Sequence, residues 1–96
     1  MYLRITNGRF DPAKIEDIMP LALRITAAVE GLPGNQSQEL GLDRTTGQVS
    51  NVSTWDTLEH AQFSRETAGA LGELVQGLQA VGVAFDPPVI METVTT

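Results

Sequence analysis

His60 is the one side chain of this sequence whose unperturbed titration falls near neutrality, and it stands five positions after the only tryptophan, Trp55. A histidine so placed could serve as a general base or as an axial ligand. Asn7 and Asn51 supply primary amides able to orient a ligand carbonyl or an oxygen intermediate, although Asn7 before Gly8 also fits plain turn chemistry. Trp55 offers aromatic lining for a planar ligand, and Phe63 lies one helical turn beyond His60 on the same side. For each there is a structural alternative: an indole filling the core, or a histidine standing in solvent. The acidic residues Glu16, Asp17, Glu59, Glu66 and Glu73 fall on outward helical positions and read as a solvated surface.

Composition removes several chemistries. With no cysteine there is no thiolate nucleophile, no thiolate metal site and no disulfide framework. A single histidine cannot build a multi-histidine zinc or iron site, which leaves carboxylates as weak ligands for a hard cation. No nucleophile elbow, P-loop or dinucleotide fingerprint is present. The net charge of −6, with the arginines scattered, argues against nucleic-acid binding. At 42% hydrophobic and 19% charged residues the chain reads as an ordinary soluble domain, without an apolar run of the roughly 18 to 20 residues a membrane span needs. The start of the chain has neither a basic region nor an apolar leader, so the cytoplasm is the expected location. Two sequons, Asn35-Gln36-Ser37 and Asn51-Val52-Ser53, are therefore read as chance matches. Its 96 residues make one domain, 1–96, small enough that burial against a partner would help.

The elements that must position these groups follow from periodicity and turn chemistry. Tyr2 to Asn7 predicts a strand closed by Asn7-Gly8. Asp11-Pro12 then starts a helix of about 18 to 20 residues, whose stripe is Ile15, Ile18, Met19, Ala22, Ile25 and Val29. Pro20 should kink or break it, and Gly31 should stop it in left-handed backbone. After the turn Leu32-Pro33-Gly34-Asn35, strands over Gln36 to Asp43 and Gln48 to Trp55 are joined by Arg44-Thr45-Thr46-Gly47 and must be neighbours. Asp56 with Glu59 resembles a capping box opening a second helix, irregular at first because of Gly69, Gly72 and Gly77. Its stripe is Leu71, Leu74, Val75 and Leu78, and Gly82 ends it. A last strand covers Val89 to Val94 behind Pro87-Pro88.

The order β, α, β, β, α, β predicts an α+β, ferredoxin-like fold with an antiparallel sheet, both helices on one face and the other face bare. Val49, Asn51, Ser53 and Trp55 share one side of the third strand, as Leu3, Ile5 and Asn7 share one side of the first. If both are the helix-covered sides, Asn7 joins Trp55 and Asn51 at a cavity wall, while Tyr2, Arg4 and Thr6 face away.

The run Gly31-Leu32-Pro33-Gly34-Asn35, the strand-like segment after it, and Val52-Ser53-Thr54-Trp55-Asp56-Thr57 leading into a helix resemble the middle of a known family. These are the small dimeric α/β-barrel proteins grouped as antibiotic biosynthesis monooxygenases, and the resemblance covers most of the chain. It implies a homodimer in which two bare faces close a barrel. It also implies a monooxygenase needing no metal or flavin, which acts on a small electron-rich aromatic, a phenol or quinol. His60 and Asn51 would then be catalytic, His60 taking the substrate proton, and Trp55, Asn7 and Phe63 would hold the rings. A further implication is haem binding or degradation, because related proteins use an asparagine on the first strand, a tryptophan on the third and a histidine on the next helix. Asn7, Trp55 and His60 supply these types in order, but that subgroup places its histidine near the position of Arg65. The remaining alternative is a noncatalytic ligand-binding or accessory barrel, since one fold hosts many functions.

Overall fold

Tyr2–Arg9 forms strand β1, and Asp11 caps the turn after it by accepting a hydrogen bond from the Ala13 N–H at 2.9 Å. Pro12 opens a short 3-10 turn, Pro12–Lys14, that runs into helix α1, Ile15–Glu30, in the computed structural model, which describes residues 1–94. Ile18, Ala22, Ile25 and Val29 are the buried stripe of α1. The helix does not break at Pro20, which is exposed, so the Glu16 carbonyl that loses its partner there can turn to water. Gly31 is not left-handed either. Its φ is −84, and the N–H groups of Gly31 and Leu32 already satisfy the Ala27 and Val29 carbonyls. The left-handed glycine is Gly34, with φ +81, in the turn into strand β2, Asn35–Leu42.

Strand β3, Gln48–Trp55, pairs antiparallel with β2 through the hairpin predicted from Arg44-Thr45-Thr46-Gly47. The Asp43 carboxylate accepts from the Thr45 and Thr46 N–H groups at 2.8 and 3.1 Å. Gly47, φ +79, is pressed against the Phe10 carbonyl where no Cβ would fit.

The second helical region departs from expectation in two places. Its cap is Thr57, whose hydroxyl accepts from the His60 N–H at 3.2 Å, because the Asp56 carboxylate is engaged by the His60 ring instead. The helix is also two helices. Helix α2, Leu58–Gln62, stops at Phe63, which has φ 60, and Ser64 caps helix α3, Arg65–Ala80. Gly82, φ +90, ends α3 as predicted: its N–H reaches the Gln79 carbonyl and the Val83 N–H the Leu78 carbonyl, both at 3.0 Å. Val83 and Leu78 meet in the core beneath this closure.

The last strand, expected over Val89 to Val94, ends at Glu92, and a short additional strand precedes the prolines. Strand β4, Ala84–Phe85, pairs with Gly8 and Arg9, and strand β5, Val89–Glu92, pairs with Tyr2 to Ile5, with Pro87-Pro88 between them. Both lie on the edge of β1 away from β3, giving an antiparallel sheet in the order β2-β3-β1 followed by β4 and β5. Only glycine fits at position 8, because a Cβ there would lie 2.6 Å from the Ala84 carbonyl oxygen. The fold is α+β and ferredoxin-like, with α1 against α3 and β2, and the core between helices and sheet.

Register settles which side of each strand is covered. Tyr2 stands opposite Trp55, Arg4 opposite Ser53 and Thr6 opposite Asn51, and cross-strand partners share a face. Tyr2, Arg4 and Thr6 therefore lie under the helices with Asn51, Ser53 and Trp55. Leu3, Ile5 and Asn7 lie on the bare face, the reverse of what alternation alone predicts for β1. That bare face is apolar, with Leu3 and Ile5 beside Val52, Val89 and Met91, which are 37%, 49% and 45% exposed. No helix among the described residues is long and apolar enough to cross a membrane.

Candidate active site

Between the sheet and the helices lies a cavity of about 290 Å³, near the small end of the roughly 300 to 1,000 Å³ typical of ligand sites. Most of its wall is hydrocarbon, from Ile18 and Ile25 of α1 and Leu71 and Val75 of α3 to Leu40 and Val49 of the sheet. One strip is polar. Arg4 and Thr6 of β1 and Asn51 and Ser53 of β3 stand side by side because the register pairs them.

Arg4, Asn51 and Ser53 of this strip are each held by a neighbour. The Gln38 side-chain NH2, on β2, donates to the Asn51 side-chain oxygen, so the amide protons of Asn51 are left for the cavity. Gln38 is itself buried at 9% exposure, and its own carbonyl oxygen has no protein partner. Ser53 Oγ accepts from the Trp55 indole N–H at 2.8 Å. Arg4 Nη1 donates to the Ala61 carbonyl of α2 at 2.8 Å, and its guanidinium lies 3.8 Å from the centre of the Phe63 ring. Burial lowers the Arg4 pKa, yet a guanidinium remains a cation. Phe63 in turn meets Trp55 edge to face, with centroids 5.2 Å apart and planes at 75°. The positive φ of Phe63, costly by about 1 to 3 kcal/mol for a residue with a side chain, is held by these two contacts.

The residues singled out from sequence are thus separated. Asn51 and Phe63 line the cavity. Trp55 lies behind Phe63, 1% exposed, and is a core residue that meets the wall at Phe63 and Ser53. His60 is not in the wall. Its side chain is 41% exposed on α2 and its Nδ1 pairs with Asp56 Oδ1 at 2.6 Å, which holds the Asp56 carboxyl below its ordinary range. The backbone of Gly34 is packed against this pair, leaving no space for a Cβ. Asn7 sits on the bare face, where its side-chain oxygen accepts from Ser50 Oγ at 2.7 Å. Asn7, Trp55 and His60, the three types needed for a haem site, consequently lie on the bare face, in the core and on the outer surface.

Sequence reasoning passes over Arg4, Thr6, Gln38 and Asp86. The last is the single carboxylate of the cavity wall, exposed at the β4 end with its N–H bonded to the Asn7 carbonyl at 2.8 Å. The signal for the first three is parity: once β3 presents Asn51 and Ser53 inward, their partners across the ladder must do the same.

Solved structures share this architecture. A protein from Deinococcus radiodurans assigned to the antibiotic biosynthesis monooxygenases matches with a TM-score of 0.82, over 100% of this chain and 95% of its own, at 14% identity. A cofactor-independent oxygenase from Streptomyces nogalater matches at 0.72, over 99% of this chain and 94% of its own, with 14% identity. A monooxygenase from Streptomyces coelicolor, solved in complex with nanaomycin D, matches at 0.73, over 99% and 88%, with 18% identity. No protein-family model matches the sequence, and the curated proteins give no match. At such identities the likeness is one of fold: this chain has the antibiotic biosynthesis monooxygenase fold.

Proposed function

We propose that the protein is a cofactor-independent monooxygenase acting on an electron-rich aromatic, a phenol or quinol. The observation that carries this reading is the apolar cavity between sheet and helices, whose wall holds one oriented amide, Asn51, in a fold shared with solved monooxygenases. In such chemistry the substrate is the reductant. A phenol loses its proton, the ring carbon of the anion bonds to dioxygen, the peroxide anion so formed takes back a proton, and the hydroperoxide loses water together with the hydrogen of the same ring carbon to leave a quinone. One oxygen atom enters the product, the other leaves as water, and no outside reductant is needed.

The chain's part is to exclude water, hold the ring plane and stabilise the oxyanion. The hydrocarbon wall does the first. Asn51, fixed by Gln38, directs N–H groups at the substrate oxygen that gains negative charge. His60 lies outside the wall, so the substrate proton leaves by an acceptor other than its imidazole. Oxygen uptake with a panel of polycyclic quinols tests the reading directly. The expected result is substrate-dependent uptake that His60→Ala leaves within about 2-fold of the parent, since surface changes away from such features cost little. A loss beyond 10-fold in His60→Ala would return the base to that residue. Saturable quinol binding with no uptake would replace the enzyme with a noncatalytic binding barrel.

The same reading makes the bare sheet face a homodimer surface. Its apolar row, Leu3, Ile5, Val52, Val89 and Met91, is the kind of contiguous patch a monomer rarely leaves in water. Sedimentation at micromolar concentration is expected to give about twice the 10.3 kDa chain mass, and a mass near 10.3 kDa would remove the dimer.

A further inference from the structure

Arg4 is a cation in a hydrocarbon-walled cavity, with no counter-ion among the described residues. Among the described residues the ion pair present is His60 with Asp56, on the outer surface, and no carboxylate reaches Arg4. The only other charge in the wall, Asp86, comes directly after Phe85, which stands opposite Gly8. Arg4 and Gly8 are four residues apart on β1, about 13 Å along the strand. Of the five N–H groups of the guanidinium, one finds an acceptor among the described residues, the Ala61 carbonyl. The group is also fixed in place, over the Phe63 ring, before any ligand arrives.

A half-buried cation with no opposite charge beside it is destabilising; one carbonyl and one ring face offset part of that cost, and an anionic ligand would offset more. The chain as a whole carries a net charge of −6, so a general need to attract anions does not account for a cation placed here. The planar fork of N–H groups left open on Arg4 has the geometry that takes a carboxylate through two parallel hydrogen bonds. We infer that the natural ligand of this cavity is an aromatic acid, whose carboxylate pairs with Arg4 while its ring system fills the hydrocarbon part of the wall. This rests on the reading of the cavity as the substrate site and adds to it. The phenol or quinol to be oxygenated also bears a carboxylate, and that group, held at Arg4, sets which end of the molecule lies toward Asn51.

A purely structural role for Arg4, pinning α2 and Phe63 to the sheet, predicts something different: its removal would weaken every ligand alike. The test is therefore a ratio. Anthracene-2-carboxylate and anthracene-2-carboxamide have nearly the same shape and differ in charge, and binding of either can be followed by energy transfer from Trp55. The parent protein is expected to prefer the acid by roughly 10- to 100-fold, the range that charge-assisted hydrogen bonds supply. Arg4→Met should bring the two within about 2-fold of each other, and Arg4→Lys should keep part of the preference, because a point charge replaces the fork. Equal binding of acid and amide by the parent, or an unchanged ratio in Arg4→Met, would overturn the inference. If Arg4→Met does not fold, the parent ratio and Arg4→Lys decide the matter. Binding needs no turnover, so acid preference without oxygen uptake removes the monooxygenase and keeps the acid site. Uptake with quinols but no acid preference does the reverse.

Discussion

Asn51→Leu is expected to slow oxygen uptake at saturating substrate by about 100- to 1,000-fold, while the KM for the same quinol changes only a few-fold. Leucine keeps the branched shape of asparagine, so the wall stays filled at this position. What is lost is the pair of N–H groups that the proposed function directs at the substrate oxygen while Gln38 holds the other end of the amide. A donor fixed in advance acts mainly where charge develops, which places the loss in kcat. Gln38→Leu refines the expectation. It leaves Asn51 in the wall but frees its amide to rotate, so the fall should be smaller than for Asn51→Leu, in kcat again. Gln38 is 9% exposed and its carbonyl oxygen has no protein partner, so its replacement by leucine should not destabilise the fold as loss of a fully bonded buried amide would. A fall of less than about 5-fold in Asn51→Leu would remove Asn51 from the chemistry and leave a binding cavity.

The elements of this fold are written locally and the site is not. The stripes Ile18-Ala22-Ile25-Val29 and Leu71-Leu78, the hairpin at Arg44 to Gly47 and the stop at Gly82 each depend on residues a few positions apart, and each is where the pattern puts it. The inward side of β1 depends on register with β3, nearly fifty residues away. Leu3 and Ile5 are the more apolar pair, which is what points them toward the core by pattern alone, but they lie beside Val52, Val89 and Met91 on the face the helices leave bare. Here the polar parity, Arg4 and Thr6, is the one that serves the cavity. His60 shows the same limit on the helix side. Ala61, 0% exposed, is the residue that lets α2 rest against the sheet, and one step back along a helix turns His60 by about 100° out of that contact. The chemistry of an imidazole makes His60 a candidate, whereas its position leaves it to bond Asp56. The break at Phe63 has no composition signal at all, since the residue holds a positive φ through its contacts with Trp55 and Arg4 rather than through any turn preference of phenylalanine.

Those contacts make Trp55→Ala the substitution with the largest expected effect on stability. The indole is 1% exposed, donates to Ser53 Oγ at 2.8 Å and supports the Phe63 ring edge to face. Truncation of a buried tryptophan costs about 3 to 5 kcal/mol through lost burial and the void left behind. For a domain of this size that lowers Tm by roughly 15 to 30 °C. The loss should also reach the cavity. Without Trp55 behind it, Phe63 loses one of the two contacts that hold its unfavourable backbone, and the Arg4 guanidinium stacked on it loses a rigid base. Trp55→Phe keeps an aromatic ring but not the N–H, so it should fall between the parent and Trp55→Ala in thermal unfolding. The acid-to-amide binding ratio separates packing from chemistry. It should be retained in Trp55→Phe, read calorimetrically once the indole donor is gone, because Arg4 and its Ala61 acceptor are untouched. A Tm within about 5 °C of the parent in Trp55→Ala would mean that the indole is not a packed core residue. The chain of contacts from Trp55 through Phe63 to Arg4 would then not be what shapes this end of the cavity.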